Sequence, residues 1–173
     1  MTVDHRVDWL TITECFDRHG VEYLIVGGVG AQLHGATRPT SDFDSLPKTS
    51  GENLDRLGIA LRELGAYLRV EGLTDEEARA LPVHLDGATL ARMDISTWRT
   101  DAGDLDVLTA IPTRDGGRSR YEDLLVRASS VDFGGVPVRV AALEDIIASK
   151  EWADRPKDRA ALEELRRLAA DDS

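Results

Sequence analysis

Tyr23-Leu24-Ile25-Val26-Gly27-Gly28, followed by Arg38-Pro39-Thr40-Ser41-Asp42-Phe43-Asp44, is the stretch on which the reading of this chain turns. Four apolar residues ending at two glycines read as a strand that breaks into a tight turn. Val29 to His34 then has room for a short helix. A strand that turns through Gly-Gly into a helix presents backbone N–H groups and a helix N-terminus, a seat suited to phosphate. With Phe43 in an extended segment, Asp42 and Asp44 project to the same side and can hold a divalent cation between them. Phosphate beside a carboxylate-held metal is what nucleotide chemistry requires.

Working outward, composition narrows the field. The chain has 173 residues, 42% hydrophobic and 31% charged, with no internal repeat or low-complexity tract. That suits one domain with a real core, or a core plus a small helical appendage. The net charge is −11, which argues against a broad basic surface for nucleic acid. Lys150, Arg155, Lys157, Arg159, Arg166 and Arg167 do form a cationic run, but Glu151, Asp154, Asp158, Glu163 and Glu164 interleave with it. Only individually placed cations therefore carry weight. Met1 to Arg6 contains Asp4 where a signal peptide needs basic then apolar residues, and no apolar run reaches membrane-spanning length. A cytoplasmic location with no membrane partner is the expectation. Cys15 is the sole cysteine; it has no disulfide partner and no second thiol for a cysteine-based zinc site, so it is expected to pack in a helix.

The remaining elements follow from periodicity. Val7 to His19 reads as a helix stopped by Gly20, and Glu22 to Val26 as the strand. Thr49-Ser50-Gly51-Glu52 has the form of a capping box opening a helix with Leu54, Leu57, Leu61 and Leu64 on one face. Tyr67 to Val70 reads as extended, Thr74 as opening a short helix, and Ala88 to Ile95 as a strand. Asp101-Ala102-Gly103 gives a hairpin turn between Trp98-Arg99-Thr100 and Asp104 to Ala110. Ser119 is expected to cap another helix. Val131 to Phe133 and Val136 to Val140 form a second hairpin around Gly134-Gly135, and the helices Leu143 to Ala153 and Lys157 to Ala169 are parted at Pro156. The predicted fold is a mixed twisted sheet flanked by helices, α/β in the α+β sense. Residues 1–140 form the core and 141–173 a C-terminal helical segment packed on it.

Strand, Gly-Gly, short helix and Asp-x-Asp, in that order, resemble the DNA polymerase β-like nucleotidyltransferase superfamily. Gly27-Gly28-Val29-Gly30-Ala31, Leu33-His34-Gly35, Arg38, Thr40 and Asp42-Phe43-Asp44 look like the AbiEii and MenT-type nucleotidyltransferase toxins of bacterial toxin–antitoxin systems. So do Leu143-Glu144-Asp145-Ile146-Ile147-Ala148-Ser149-Lys150 and Arg155-Pro156-Lys157-Asp158. The resemblance implies a third carboxylate from a later strand. Gly103-Asp104-Leu105-Asp106-Val107-Leu108 aligns Asp106 with it, with Asp104 as runner-up on the same strand face. It further implies that Asp42, Asp44 and Asp106 bind metal, with Asp106 taking a proton from the attacking hydroxyl. Gly27, Gly28, Arg38, Thr40, Ser41, Lys150, Arg155 and Asp158 are the implied nucleotide-binding set. Lys150 also stands out on its own, since Leu143, Ile146, Ile147 and Lys150 share one helix stripe and put an ammonium on an otherwise apolar face. Snorkelling at a helix end is the structural alternative, and the cleft-facing reading is the favoured one. Gly28 stands where many members of the superfamily have serine, leaving only backbone contacts to phosphate there.

Magnesium takes near-octahedral oxygen ligands and shares its coordination with substrate phosphates. Two such ions can stabilise both the attacking and the departing oxygens of an in-line displacement. The implied reaction is transfer of a nucleoside monophosphate from an NTP to the 3′ end of tRNA, blocking translation and neutralised by a cognate antitoxin protein. Transfer to a protein side chain or to a small, aminoglycoside-like molecule is the alternative, and the acidic charge suits a basic small substrate. A non-catalytic nucleotide-binding protein of the same fold is a third possibility, against which the intact Asp42, Asp44 and Asp106 count. His34 is expected to pack rather than bind metal, and Trp98 and Trp152 are expected in the core or an interface.

Overall fold

A computed structural model describes residues 7–172; the reading of Met1 to Arg6 lies outside them. The elements in chain order are α1 (Trp9–Arg18), β1 (Tyr23–Val26), α2 (Gly27–Leu33), β2 (Asp42–Pro47), α3 (Gly51–Glu63), β3 (Tyr67–Leu68), α4 (Asp75–Arg79), α5 (Gly87–Leu90), β4 (Ile95–Thr100), β5 (Gly103–Leu108), β6 (Ile111–Pro112), β7 (Arg118–Ser119), α6 (Tyr121–Leu125), β8 (Ser129–Phe133), β9 (Val136–Val140), α7 (Leu143–Ala153) and α8 (Pro156–Asp171). Seven strands form one mixed sheet in the order β3-β4-β5-β2-β1-β9-β8, while β6 and β7 pair separately. The α+β fold expected from the sequence is the one found.

Strand alternation divides the core between the two sheet faces. Ile25, Phe43, Leu105 and Val107 point to one face, where Ile12 and Phe16 of α1 and Leu54, Leu57 and Leu61 of α3 cover them. Leu24, Val26 and Leu46 point to the other, beneath Leu143, Ile146 and Ile147 of α7 and Leu162 and Leu165 of α8. Asp42 and Asp44 therefore share the face of Leu46, the side taken by the C-terminal helices. Burying an apolar side chain of this size stabilises by about 2 kcal/mol, so both helix layers are held firmly to the sheet.

Local chemistry explains where the elements depart from expectation. Residues 88–90 are helical rather than strand: Asp86 caps α5 by accepting from the Thr89 amide at 2.8 Å, and the strand begins only at Ile95. The box expected at Thr49–Glu52 does not close, because Glu52 pairs with Arg56 and Ser50 stands at the N-cap without a side-chain bond. Thr74 and Glu77 do form a reciprocal box. Ser119 belongs to β7, and Asp123 caps α6 instead by accepting from the Arg120 amide. The helix after β1 starts at Gly27, two residues early. Trp98 is fully buried, its indole N–H donating to Ser96 Oγ at 2.8 Å, whereas Trp152 is 55% exposed and stands outside the core.

Candidate active site

Register builds the acidic half of the site. β2 and β5 run parallel, with Asp42 opposite Asp104 and Asp44 opposite Asp106. Two alternating carboxylates on each of two adjacent strands thus fall on one face, which local periodicity allows but only the pairing produces. The hydroxyl of Ser45 locks the register from the far side by donating to the Asp106 carbonyl at 3.0 Å.

The two carboxylates of β5 have different neighbours. Asp104 lies opposite Arg99 of β4 and pairs loosely with Arg69 at 3.8 Å and Arg99 at 3.9 Å. Asp106 lies opposite Thr97. Asp42, Asp44 and Asp106 line a cleft of about 430 Å³; Asp104 does not. Of the two, Asp106 is the one placed in the cleft with Asp42 and Asp44.

Burial pushes the Asp44 carboxyl up to about 7, with the charge and hydrogen bond of Asp106 adding to it and the Lys150 ammonium opposing. Burial also raises Asp106, against the opposing effect of the Thr97 side chain. Its Oδ1 is buried without any hydrogen-bond partner. A buried carboxylate oxygen left unsatisfied is costly, and crowding like charges beside it adds to that cost. Asp42, Asp44 and Asp106 offer hard oxygen donors of the kind a divalent cation takes, one of them unpartnered. Such a cation would supply positive charge to phosphate oxygens and to a nucleophilic hydroxyl.

The Gly-Gly turn fits tightly against these acids. Gly27 has a φ of +62°, and a Cβ on it would land on the Asp44 carboxylate. A Cβ on Gly28 would lie 2.6 Å from Thr40 Oγ1. Both glycines are thus needed for close approach, and both line the cleft with Arg38 and Thr40. The loop between them is tied at two points: Gln32 donates to the Arg38 carbonyl at 2.6 Å, and Glu164 of α8 accepts from the Thr37 amide and hydroxyl. Ser41 lies apart from the lining, exposed, its hydroxyl on Asp42 Oδ1 at 3.2 Å.

The C-terminal helices form the cationic half. Lys150, Arg155 and Lys157 line the cleft. Asp158 does not: its side chain is completely buried behind them, which corrects the expectation that it meets nucleotide directly. It stands 3.6 Å from Lys150 Nζ, accepts from Arg155 Nε at 2.6 Å, and caps α8 by accepting from the Arg155 amide at 3.2 Å. Burial raises its carboxyl, but the Arg155 hydrogen bond and the charges of Arg155 and Lys150 outweigh that and hold it below the usual carboxylate range. The fold thus brings Gly27, Gly28, Arg38, Thr40, Asp42, Asp44, Asp106, Lys150 and Arg155 around one cleft and leaves Ser41 and Asp158 at its margins. His34 is packed, with Nε2 2.8 Å from the Ala141 carbonyl.

Sequence reading passed over Thr97, Lys157 and the apolar lining of Ile95, Leu108, Ile111 and Pro112. Thr97 was within reach, because counting back from Thr100 opposite Gly103 places it across from Asp106. Lys157 stands in the cationic run and in the Arg155–Asp158 stretch without entering the expected nucleotide-binding set; nothing in the sequence marked the apolar lining.

Among solved structures, a lincosamide antibiotic adenylyltransferase, LnuA, superimposes with a TM-score of 0.60 at 14% identity, covering 93% of this chain and 96% of its own. The antibiotic-resistance factor ANT(2'')-Ia gives 0.57 at 19% identity over 95% and 82% of the two chains. An antigenic nucleotidyltransferase-like protein from Paracoccidioides brasiliensis gives 0.54 at 16% over 94% and 74%. The fold is that of the nucleotidyltransferases. No protein-family model and no curated protein matches the sequence. Within this nucleotidyltransferase fold, no helix of the described residues is long and apolar enough to cross a membrane.

Proposed function

We propose that the protein is a metal-dependent nucleotidyltransferase. The observation that carries the reading is the convergence of Asp42, Asp44 and Asp106, half-buried on one sheet face with one buried oxygen of Asp106 unpartnered, on the cleft that Lys150 and Arg155 also line. The acceptor hydroxyl attacks the α-phosphorus of an NTP. The new O–P bond forms as the bond to pyrophosphate breaks, and the hydroxyl proton passes to Asp106. Lys150 and Arg155 neutralise the triphosphate, and the backbone at Gly27-Gly28 with Arg38 and Thr40 orients it. Magnesium held by the three carboxylates would supply the remaining positive charge to the phosphates.

For the acceptor we propose the 3′ end of tRNA, in a toxin restrained by a cognate antitoxin, the reading that the motifs at Lys150 and Arg155–Asp158 suggest. A small cationic acceptor is favoured instead by one specific observation: the cations of the C-terminal helices are largely spent within the chain. Arg155 pairs with Asp158, Arg159 with Asp154 and Arg166 with Glu151, leaving little basic surface for a polynucleotide. Antibiotic adenylyltransferases also stand among the structural neighbours. Incubation of the protein with magnesium and each labelled NTP, against total tRNA and against a set of aminoglycosides, separates the two. Label in tRNA that disappears in Asp44→Asn supports the toxin reading; label confined to the small molecules supports the second; no label with either overturns both acceptors and leaves a protein side chain as the acceptor to test.

A further inference from the structure

On the opposite face of the sheet from the catalytic acids, α1 and α3 run together, and their ends bring three donors into one place. Cys15 and His19 are four residues apart, one turn along α1 and its C-cap, and so on the same side of the helix. Glu63, the last residue of α3, meets them from across the seam. The Cys15 Sγ, His19 ring nitrogen and Glu63 carboxylate oxygen all lie within 4.8 Å of one another. We infer that Cys15, His19 and Glu63 hold a borderline-soft divalent cation of the zinc class, with a water completing four-fold coordination.

The donor set selects that class. Thiolate, imidazole and one carboxylate suit zinc or cobalt(II), whereas magnesium takes oxygen. Zinc bonds of about 2.0–2.3 Å require the donors to close in on the ion. Cys15 Sγ is held only by a weak 3.6 Å contact to the Ala60 carbonyl. Binding would displace its proton to solvent. One carboxylate oxygen of Glu63 already meets His19 Nε2, while the other is taken by Arg18, whose side chain is 57% exposed and free to turn outward. A path for the ion exists: a depression of about 250 Å³ opens onto Cys15 and Glu63 and is lined by Asp8, Glu14 and Asp101 together with Arg18. A bound ion would clip α1 to α3 and stabilise the folded chain. The inference does not depend on the reading of the cleft.

The test strips the protein with chelator and titrates it with cobalt(II), then zinc, in excess magnesium so that the cleft carboxylates do not compete. One equivalent of cobalt(II) is expected to give a thiolate-to-metal charge-transfer band, absent in Cys15→Ser. His19→Ala and Glu63→Gln should each weaken binding about tenfold or more. Zinc should raise the melting temperature of the parent by several degrees and leave Cys15→Ser unmoved. No charge-transfer band in the parent, or unchanged affinity in both the His19 and Glu63 variants, overturns the site. Those two positions reach the surface, so they decide the matter even where replacing the buried Cys15 impairs folding.

Discussion

The strand wall and the helix wall of the cleft treat charge in opposite ways. On the strands, Asp44 and Asp106 sit side by side with burial raising both, and one oxygen of Asp106 has no partner. On the helices, one fully buried carboxylate, Asp158, serves two cations and is held ionised by them. The first wall stores repulsion that a bound cation would relieve; the second is self-sufficient and presents finished positive groups. Substitutions in the two walls should therefore trade activity against stability with opposite sign.

The largest effect is expected on the strand wall. Asp44→Asn removes a carboxylate of the proposed metal site and should lower turnover by about a thousandfold or more, measured as pyrophosphate release. It should not destabilise the fold. Asp44 is raised from an ordinary 3.8 to about 7 in the folded chain, so its contribution to stability is present below about pH 4 and is lost as pH rises through about 7. The melting temperature of the parent should thus fall between about pH 4 and about pH 7 relative to Asp44→Asn, and magnesium should recover part of that loss at the upper end. An equal pH dependence in the two proteins would break the contrast between the walls.

Asp158→Asn is the matching test of the helix wall. The amide keeps the shape but leaves the Lys150 ammonium, 16% exposed, without its counter-charge. A loss of about 2–3 kcal/mol in denaturant unfolding is expected. A fall in activity of about tenfold to a hundredfold should appear mainly in the KM for nucleotide, because Lys150 and Arg155 lose their orientation. Stability unchanged from the parent would show that Asp158 does not hold this wall together.

Between the walls, Gly28→Ala should cost about 1–3 kcal/mol. Its Cβ would stand 2.6 Å from Thr40 Oγ1 and 2.7 Å from Thr40 Cβ, so the loop carrying Arg38 has to give. Gel mobility and thermal melts locate the damage: a folded protein with a raised KM for NTP is the expected outcome.

How far these features could be read from sequence depends on whether their cause is local. The strand at Tyr23, the Gly-Gly turn, the Asp-x-Asp alternation and the hairpin closed by Gly103, whose φ is +111°, all follow from neighbours within a few residues. The break between α7 and α8 at Pro156 is local too. Residues 88–90 were misread because the choice between strand and helix there rests on the Asp86 cap, reinforced from a distance by Asp55 accepting from the Gly87 amide. The depth of Asp158 was hidden for a similar reason. In sequence it is an ordinary first-turn acid, and only the packing of α8 on α7 encloses it.

Asp104 and Asp106 mark the limit most sharply, since alternation places both on one face and cannot rank them. What ranks them is the strand across the sheet: Arg99 lies opposite one, Thr97 opposite the other. Asp104→Asn should therefore have the smallest effect of the series, below about threefold on turnover, with a stability change of about 0–1 kcal/mol, since the pairs it loses to Arg69 and Arg99 are long, at 3.8 and 3.9 Å. Asp106→Asn, two residues on, should fall with Asp44→Asn, and the double variant should lose little more than either alone, as groups acting on one cation are not additive. The pair is best measured side by side at saturating magnesium. A large loss in Asp104→Asn with Asp106→Asn nearly intact would move the third ligand two residues back along β5, and with it the floor of the cleft.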